Sequence, residues 1–182
     1  MRLSLLLFCV AAMAQTPVQK AMDYMAAASK GDAFMGTVLV ARDGKVLFSN
    51  GYGFANIEHA VPNTVDTKFR LGSITKQFAA LAILQLEEQG KLSVKDSMCK
   101  YIDDCAEAWK PITIHHLLTH TSGLFNYTND PEIYATKIML PSKQQESLAK
   151  IKGRPLRFPV GEKFEYSNSG YLALGAMIEK AS

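Results

Sequence analysis

A serine and a lysine stand three residues apart at the start of an apolar helix. Ser73 and Lys76 precede the segment 78–84, which contains no polar residue. At this spacing the two side chains share one helical face, with Cβ atoms about 5–6 Å apart, so a proton can pass between them. A serine hydroxyl becomes a good nucleophile when a neighbouring base removes its proton. The pattern therefore favours a nucleophilic Ser73 with Lys76 as its base.

The same spacing also permits an ordinary structural interpretation, in which Ser73 caps the helix and Lys76 extends its charged end to solvent. A lysine with the usual pKa of about 10.4 is charged at pH 7 and cannot act as a base. The chemical interpretation therefore requires a dry surrounding. Because the segment 78–84 has no polar face, we expect a helix that is buried on all sides.

Ser-x-x-Lys occurs twice more in the chain, at Ser97/Lys100 and at Ser147/Lys150. Both of these pairs lie in polar segments, so we expect solvated surface at each of them. The spacing is therefore not specific by itself, and the surrounding residues have to distinguish the three pairs.

The first residues predict export. Met1 and Arg2 precede an apolar run over residues 3–10, and Ala12-Met13-Ala14 provides the small-x-small pattern of a leader cleaved after Ala14. The apolar run is too short to span a bilayer. Phe8 before Cys9 argues against lipoprotein-type cleavage. We therefore expect an exported protein, periplasmic or secreted, with no stable membrane anchor.

Residues 15–182 are long enough for one domain with a real core. We expect a helix, a hairpin and the nucleophile helix over 15–90, a mostly helical subdomain over 91–160, and a last segment over 161–182. The net charge of +3 indicates neither nucleic-acid nor membrane binding. Cys99 and Cys105 either form a short-loop disulfide or remain thiols, and the sequence leaves both open.

Local signals place the elements. Asp43-Gly44 between two β-branched runs is a strong hairpin signal. The predicted elements in chain order are a helix begun by Thr16-Pro17 and ended by Gly31, strands over 36–41 and 45–49, a loop over 52–67, the nucleophile helix ended by Gly90, and helices begun by Thr113, over 142–152 and over 170–181.

A second constellation lies near the end of the chain. Tyr166 and Asn168 stand two apart in a non-helical turn and can point the same way. The phenol can relay protons, and the amide can orient a lysine or a substrate carbonyl. Alternatively, Asn168 or Ser169 caps the following helix and Tyr166 only packs. A second Tyr-x-Asn over 127–129 sits in a polar stretch, and we interpret it as a loop.

A metal site is not favoured. His116 and His120 are four residues apart, but Leu117 stands where a zinc-protease helix would carry a glutamate. We expect these histidines to make local hydrogen bonds, and we expect no metal or organic cofactor. The chain also lacks Gly-x-Ser-x-Gly, so a nucleophile elbow of the α/β-hydrolase kind is not supported.

In combination and in this order, the motifs resemble those of the serine β-lactamase-related proteins. That family includes class C β-lactamases, D-alanyl-D-alanine carboxypeptidases and β-lactamase-fold esterases. The stretches that carry the resemblance are Phe69-Arg70-Leu71-Gly72-Ser73-Ile74-Thr75-Lys76, His120-Thr121-Ser122-Gly123-Leu124 within 112–124, and 158–161 leading to Tyr166-Ser167-Asn168.

The resemblance implies a role for each of four residues. Ser73 is the acylated nucleophile, and Lys76 is the base or proton shuttle. Tyr166 relays a proton to the leaving group, and Asn168 is the orienting group. The implied fold is α/β (α+β) of the β-lactamase/transpeptidase type, with an antiparallel sheet flanked by helices and a helical subdomain.

The family's third motif, Lys/His-x-Gly on a strand that supplies a second oxyanion N–H, has no counterpart in this sequence. We therefore expect a piece, truncated before the C-terminal strands, of a protein about twice as long. Losing one oxyanion donor lowers the rate by about 10²–10³, so residues 1–182 alone are expected to be inactive or nearly so.

The function expected is that of an exported serine hydrolase acting on an amide or ester through a Ser73 acyl-enzyme. A β-lactam, a D-Ala-D-Ala peptide and a carboxylic ester are all compatible, so the partner is a small molecule or a peptidoglycan peptide. The alternative is a non-catalytic binding or regulatory protein of the same fold. The sequence does not define the oligomeric state.

Overall fold

The computed structural model describes residues 16–30, 33–136 and 143–182. The predicted leader and Gly31 lie outside these ranges. The chain forms two compact units, one ending at Arg70 and the other beginning at Leu71. This division differs from the predicted grouping into 15–90, 91–160 and 161–182, which stays a prediction. Among the described residues, no helix combines the length and apolarity needed to cross a membrane.

The first unit begins with helix α1, Pro17–Lys30. The Gln19 N–H donates to Thr16 Oγ1 at 3.1 Å, so Thr16 satisfies a backbone donor that the first turn leaves open. A proline at the first helical position costs no hydrogen bond. The predicted start of this helix is confirmed.

The hairpin is also confirmed. Strands β1, Gly36–Arg42, and β2, Lys45–Tyr52, pair antiparallel with Arg42 opposite Lys45. Asp43 and Gly44 both have positive φ, 51° and 74°. Two left-handed residues define the type I′ turn that matches the natural twist of a hairpin, and Asp-Gly is suited to it.

The predicted loop over 52–67 contains a second small sheet, so that prediction was wrong in part. Strand β3, Phe54–Asn56, pairs antiparallel with β4, Val61–Pro62. The Asn56 side chain accepts the His59 N–H at 2.7 Å and closes the turn between the strands. Strands of three and two residues are too short to show an alternating pattern in the sequence.

The second unit is built on two long helices. Helix α2, Thr75–Glu88, follows a 3₁₀ turn over Gly72–Ile74, and Gly90, with a φ of 71°, lies just beyond its end, as predicted. Helix α6, Asn168–Ala181, starts two residues earlier than predicted. The core between them includes Ile83, Leu86, Leu117, Leu174 and Met177.

Helix α2 is not buried on all sides, so that prediction was wrong. Only Ile83 and Leu86 of this helix are buried. Phe78, Leu81 and Leu84 are 58%, 55% and 51% exposed. One face of α2 contacts α6, and the opposite face stays open in the described part of the chain. An uninterrupted apolar run therefore shows that a helix can be covered, without showing what covers it.

Residues 91–160 are less helical than predicted. Helices α3, Ile114–Leu118, α4, Pro131–Thr136, and α5, Gln144–Ala149, which lie among the described residues of this range, have at most six residues each. The predicted helix over 142–152 is thus shorter at both ends, and residue 142 lies outside the described residues. The Thr113 cap of α3 is confirmed, since its Oγ1 accepts the His116 N–H.

The structure joins Cys99 and Cys105 in a disulfide with a Cα–Cα distance of 5.3 Å. This is the bridged one of the two alternatives that the sequence left open. Cys99 lies in a 3₁₀ turn over Met98–Lys100, and both cysteines pack against the core of the second unit. The bridge therefore fixes a local loop that borders this core.

Candidate active site

The start of α2 brings Ser73 and Lys76 into contact. Ser73 lies in the 3₁₀ turn, and Lys76 is the second residue of α2. The Lys76 Nζ donates to Ser73 Oγ at 3.2 Å. Ser73 is exposed and Lys76 is half-buried. The pair is therefore open to an incoming substrate, and its surroundings are wetter than the sequence led us to expect.

The turn before α6 adds the other two predicted residues to this pair. The Tyr166 hydroxyl and Ser73 Oγ lie 2.7 Å apart, and either oxygen can donate. The Lys76 Nζ donates to Asn168 Oδ1 at 2.7 Å and lies 4.8 Å from the centre of the Tyr166 ring. The structure thus brings all four side chains into one hydrogen-bonded cluster. Ser73 is more than ninety residues from Tyr166 in the chain, and so is Lys76 from Asn168.

The cluster favours negative charge on the phenol. Hydrogen bonding from Lys76, and to a smaller extent from Ser73, lowers the pKa of Tyr166 from its usual value of 10.0. Burial opposes this effect only weakly. A phenol whose ionised form is stabilised can accept a proton and return it more readily.

Asn168 is held in one orientation by a second layer of polar residues. Its Nδ2 donates to Thr128 Oγ1 at 3.0 Å, and the Thr128 hydroxyl donates in turn to Asn126 Oδ1 at 3.0 Å. The Asn168 N–H also donates to Asn126 Oδ1, at 3.1 Å. With its amide nitrogen engaged by Thr128, Asn168 presents its oxygen to Lys76.

The predicted site residues do not include Asn126 and Thr128, because the polar stretch around 127–129 predicts only a loop. It forms a 3₁₀ turn over Tyr127–Asn129, and the Tyr127 N–H donates to Ser169 Oγ at 3.0 Å. The second Tyr-x-Asn was a signal that this turn carries ordered polar groups. The alternative in which Asn168 or Ser169 caps α6 was wrong, because the N-cap position is Ser167.

His120 contacts the Tyr-Ser-Asn segment at three points. Its Nδ1 accepts the Ser167 N–H at 3.2 Å, and its carbonyl accepts the Glu165 N–H at 2.9 Å. Its ring lies 4.6 Å from that of Tyr166 and 5.1 Å from that of Tyr171. His116 accepts the Thr113 N–H on Nδ1 at 3.1 Å. The expectation of local hydrogen bonding is confirmed for His116, whereas it was wrong for the His120 ring, whose partner Ser167 is 47 residues away.

The described residues contain no group of three or more His, Cys, Asp or Glu side chains that could hold a metal ion.

Burial, followed by the charge of Lys76, lowers the pKa of His120 below the usual 6.5. Burial, followed by the charge of His115, does the same for His116. Both rings are therefore neutral at pH 7, as acceptance of a backbone N–H at Nδ1 requires.

Backbone hydrogen bonds connect the loop after α3 to the segment that leads to Tyr166. Gly123 has a φ of 71°, and a Cβ added there would lie 2.5 Å from the Phe158 carbonyl oxygen. Its own carbonyl accepts the Arg157 N–H at 2.8 Å, and the Gly161 N–H donates to the Thr121 carbonyl at 2.8 Å. Only glycine allows this approach, and the two bonds set the position from which Tyr166 reaches Ser73.

A cavity of about 210 Å³ opens beside the cluster. Its lining residues are Gly72, Thr75, Lys76, Ala79, Tyr127, Asn168, Tyr171 and Leu172. The wall thus combines apolar and aromatic surface with the Lys76 amine and the Asn168 amide, as in sites that bind small organic groups. Lys76 and Asn168 of the cluster thus form part of the cavity wall.

Comparison with known proteins gives a family match and similar relatives. A family model described as Beta-lactamase matches residues 18–182. Penicillin-binding protein 4* of Bacillus subtilis (strain 168) is 33% identical over 156 residues, which are 82% of this chain and 33% of that protein. The chain therefore spans about a third of the length of this curated relative.

Two solved structures are similar in fold. A penicillin-binding protein from Bacillus halodurans superposes with a TM-score of 0.75 at 32% identity, covering 87% of this chain and 48% of the other. A class C β-lactamase in complex with cefoxitin gives a TM-score of 0.67 at 26% identity, covering 88% and 43%. The chain belongs to the β-lactamase family, and the predicted β-lactamase/transpeptidase-like fold class is confirmed.

Proposed function

We propose that this chain carries the nucleophile half of a serine hydrolase that opens an amide or ester through an acyl-enzyme on Ser73. The observation that supports the proposal is that Ser73 Oγ lies within hydrogen-bonding distance of both the Lys76 amine and the Tyr166 hydroxyl. A serine with two proton-transfer groups on one oxygen is equipped both for attack and for protonation of a leaving group.

The proposed reaction has two steps. In the first, the Ser73 oxygen attacks the carbonyl carbon while its proton moves to an unprotonated base, either the Lys76 amine or the Tyr166 phenolate. The resulting tetrahedral intermediate loses its amine or alcohol as Tyr166 supplies a proton to the departing atom. In the second, water attacks the acyl-enzyme and the same groups return the proton to Ser73, so the catalyst is regenerated.

Asn168 has a supporting role in this proposal. Its amide oxygen accepts a hydrogen bond from Lys76 without bringing a negative charge to the site. A carboxylate at this point would hold the lysine in its ammonium form, whereas an amide orients it in either protonation state. Asn168 can thus direct Lys76 towards Ser73 and still allow it to act as a base.

The relatives support the substrate class without selecting one member of it. Their names include a class C β-lactamase and penicillin-binding proteins. We therefore propose β-lactams, D-Ala-D-Ala peptides and carboxylic esters as the substrates to compare. We also propose that the protein is exported, on the basis of residues 1–14. No metal or organic cofactor takes part in the proposed steps.

The test is covalent labelling. The 182-residue chain and the longest protein encoded by the same reading frame are incubated with a fluorescent penicillin and with a fluorophosphonate, and the modified peptide is identified by mass spectrometry. We expect label on Ser73 in the longer protein and little or none in the chain alone. Ser73→Ala should abolish labelling, and turnover of nitrocefin or p-nitrophenyl esters should be lost with it.

Two results would overturn the proposal. If a longer, cooperatively folded protein takes up neither probe at Ser73, the non-catalytic binding protein becomes the better interpretation. If Ser73→Ala hydrolyses substrate as fast as the parent protein does, the nucleophile has been assigned wrongly.

A further inference from the structure

We propose that His120 is a positioning residue that holds the Tyr166 hydroxyl against Ser73, and that it releases this hold when it is protonated. The inference rests on the proposed function for its catalytic meaning. Its structural content, the control of the Tyr-Ser-Asn segment by one imidazole, can be tested without any activity.

The backbone on both sides of Tyr166 is hydrogen-bonded to His120. Glu165 and Ser167 flank Tyr166, and both of their N–H groups donate to His120, one to the carbonyl oxygen and one to the ring. Ser167 is buried. A buried N–H that loses its hydrogen-bond acceptor is costly in free energy, so the position of the segment depends on the ring.

The ring itself carries the second part. It lies 4.6 Å from the Tyr166 ring at an interplanar angle of 33°, while its Nδ1 engages the next residue. The imidazole ring therefore packs beside the phenol ring, and the phenol hydroxyl contacts Ser73. Because Nδ1 accepts a hydrogen bond, the proton of the neutral ring is on Nε2.

Protonation would break the bond at Nδ1, because an imidazolium has two N–H donors and no acceptor for the Ser167 N–H. The titratable groups that face the ring are Lys76 of α2, and Tyr166 and Tyr171 on the α6 side. Glu165, which touches the His120 carbonyl through its N–H, has its carboxylate paired with Arg157 and Lys163. A second positive charge beside Lys76 adds repulsion to the lost hydrogen bond.

The sign of the effect follows from the lowered pKa of His120. The neutral ring, and with it the hold on Ser167, is fully present above pH 6.5 and is lost as the pH falls further. His116 is a matched control, because it also accepts a backbone N–H on Nδ1 and also has a lowered pKa, but its bond is to Thr113.

The experiment compares His120→Asn and His120→Gly with the parent protein and with His116→Asn. Asparagine and glycine both tolerate the left-handed backbone of residue 120, whose φ is 58°. Asparagine retains a side-chain acceptor near the position of Nδ1, and glycine does not. The difference between the two variants therefore isolates the hydrogen bond to Ser167, since both lose the ring.

The first measurement uses the 182-residue chain and needs no turnover. In ¹⁵N NMR spectra, we expect the Ser167 amide to shift and to lose protection from hydrogen exchange in step with the titration of the His120 ring. This change should persist in His116→Asn and be absent from His120→Asn. A Ser167 amide that ignores the His120 titration would overturn the inference, whether or not Ser73 reacts.

The second measurement is the rate of Ser73 acylation against pH in the longest protein that labels. At pH 7 we expect His120→Asn, which keeps the acceptor but loses the ring, to fall by about threefold, and His120→Gly, which loses both, to fall about tenfold or more. Below pH 6.5 the acylation rates of the parent and of His116→Asn should fall more steeply with decreasing pH than that of His120→Asn, because one additional protonation, that of His120, slows them. Superimposable profiles for the parent and His120→Asn would sink the proposal. An absence of labelling in every protein would instead reject the proposed function and leave the NMR result to decide this inference.

Discussion

Two Ser-x-x-Lys segments of this chain have the same spacing and different surroundings. At Ser73 the serine hydroxyl meets a lysine amine and a phenol. At Ser97 the hydroxyl donates to the Lys110 carbonyl at 2.7 Å and caps a 3₁₀ turn by accepting the Cys99 N–H. Lys100 turns away to Asp96, with a 2.8 Å ion pair.

The comparison shows that spacing provides proximity and that the partners decide the chemistry. Hydrogen bonding to the Asp96 carboxylate raises the pKa of Lys100, so this lysine is held as a cation. Lys76 is instead bonded to the neutral oxygen of Asn168. The third pair differs again, since Ser147 is buried, and the expectation of solvated surface there was wrong for the serine.

The largest contrast between the two segments is expected from replacing the serines. Ser73→Ala removes the proposed nucleophile, so labelling by a fluorescent penicillin or fluorophosphonate should fall by about 10³ or more. Ser97→Ala removes only a structural hydrogen bond, and its labelling rate should match that of the parent protein. Equal rates for all three proteins would remove the distinction drawn between the segments.

Replacing the lysines comes second. Lys76→Met retains length and apolar packing but removes the proposed base, so we expect acylation to slow by about 10²–10⁴. Lys100→Met should leave the acylation rate unchanged, because the Lys100 amine is bonded to Asp96 and its only link to Ser97 is a backbone hydrogen bond that the substitution retains. Both variants should be compared by stopped-flow labelling at pH 7. An undiminished rate for Lys76→Met would end the case for this amine as the base.

A smaller effect is expected one step away from the reacting groups. Thr128→Val has nearly the same shape but removes the acceptor for the Asn168 Nδ2, so Asn168 is free to rotate away from Lys76. The loss of one oriented hydrogen bond of about 1 kcal/mol corresponds to roughly a fivefold lower acylation rate. Thermal unfolding of the same variant serves as the control, and a drop in rate explained wholly by unfolded protein would count against an orienting role.

The smallest effect concerns the stability of the second segment. Hydrogen bonds from Lys100 and then from Tyr101 lower the pKa of Asp96 from 3.8 to about 2. The ionised carboxylate therefore stabilises the fold above about pH 4, and this stabilisation is lost as the pH falls to about 2. Asp96→Asn should lower the free energy of unfolding by about 1 kcal/mol at pH 7, because solvent screens the pair.

Urea titrations at pH 7 and pH 2 check this last prediction. The difference between the parent protein and Asp96→Asn should be much smaller at pH 2, since about half of the parent carboxyl is then protonated in the folded state and nearly all of it in the unfolded state. A difference that stays constant with pH would show that Asp96 acts through packing or a neutral hydrogen bond. The acylation rate of Asp96→Asn at pH 7 should equal that of the parent protein.

The sequence predicted the elements whose signals are local. Thr16-Pro17, Asp43-Gly44 and Thr113 each satisfy a backbone requirement within four residues of themselves, and the structure has the expected helix start, turn and cap there. The small sheet of β3 and β4 escaped prediction because it is too short for a periodic pattern. The exposure of α2 escaped prediction because covering a helix depends on other segments.

The candidate site shows the same difference between residues with a local signal and residues that depend on distant contacts. Ser73, Lys76, Tyr166 and Asn168 were named from motifs, and the structure brings their side chains together. Asn126 and Thr128 were not named, because their importance depends on a contact with Asn168 some forty residues away. Supporting residues of this kind have no fixed spacing to the groups that they orient, so a single sequence does not reveal them.

The positive φ of His120 restricts how this position can vary. The amino acids one nucleotide away from a histidine codon include asparagine and aspartate, which tolerate a left-handed backbone, and leucine, arginine and tyrosine, which resist it. Single-nucleotide drift at residue 120 is therefore filtered by backbone conformation before any question of chemistry arises. Among the substitutions that pass this filter, asparagine brings a neutral acceptor and aspartate brings a charge beside Lys76. A library randomised at this codon should accordingly recover asparagine first.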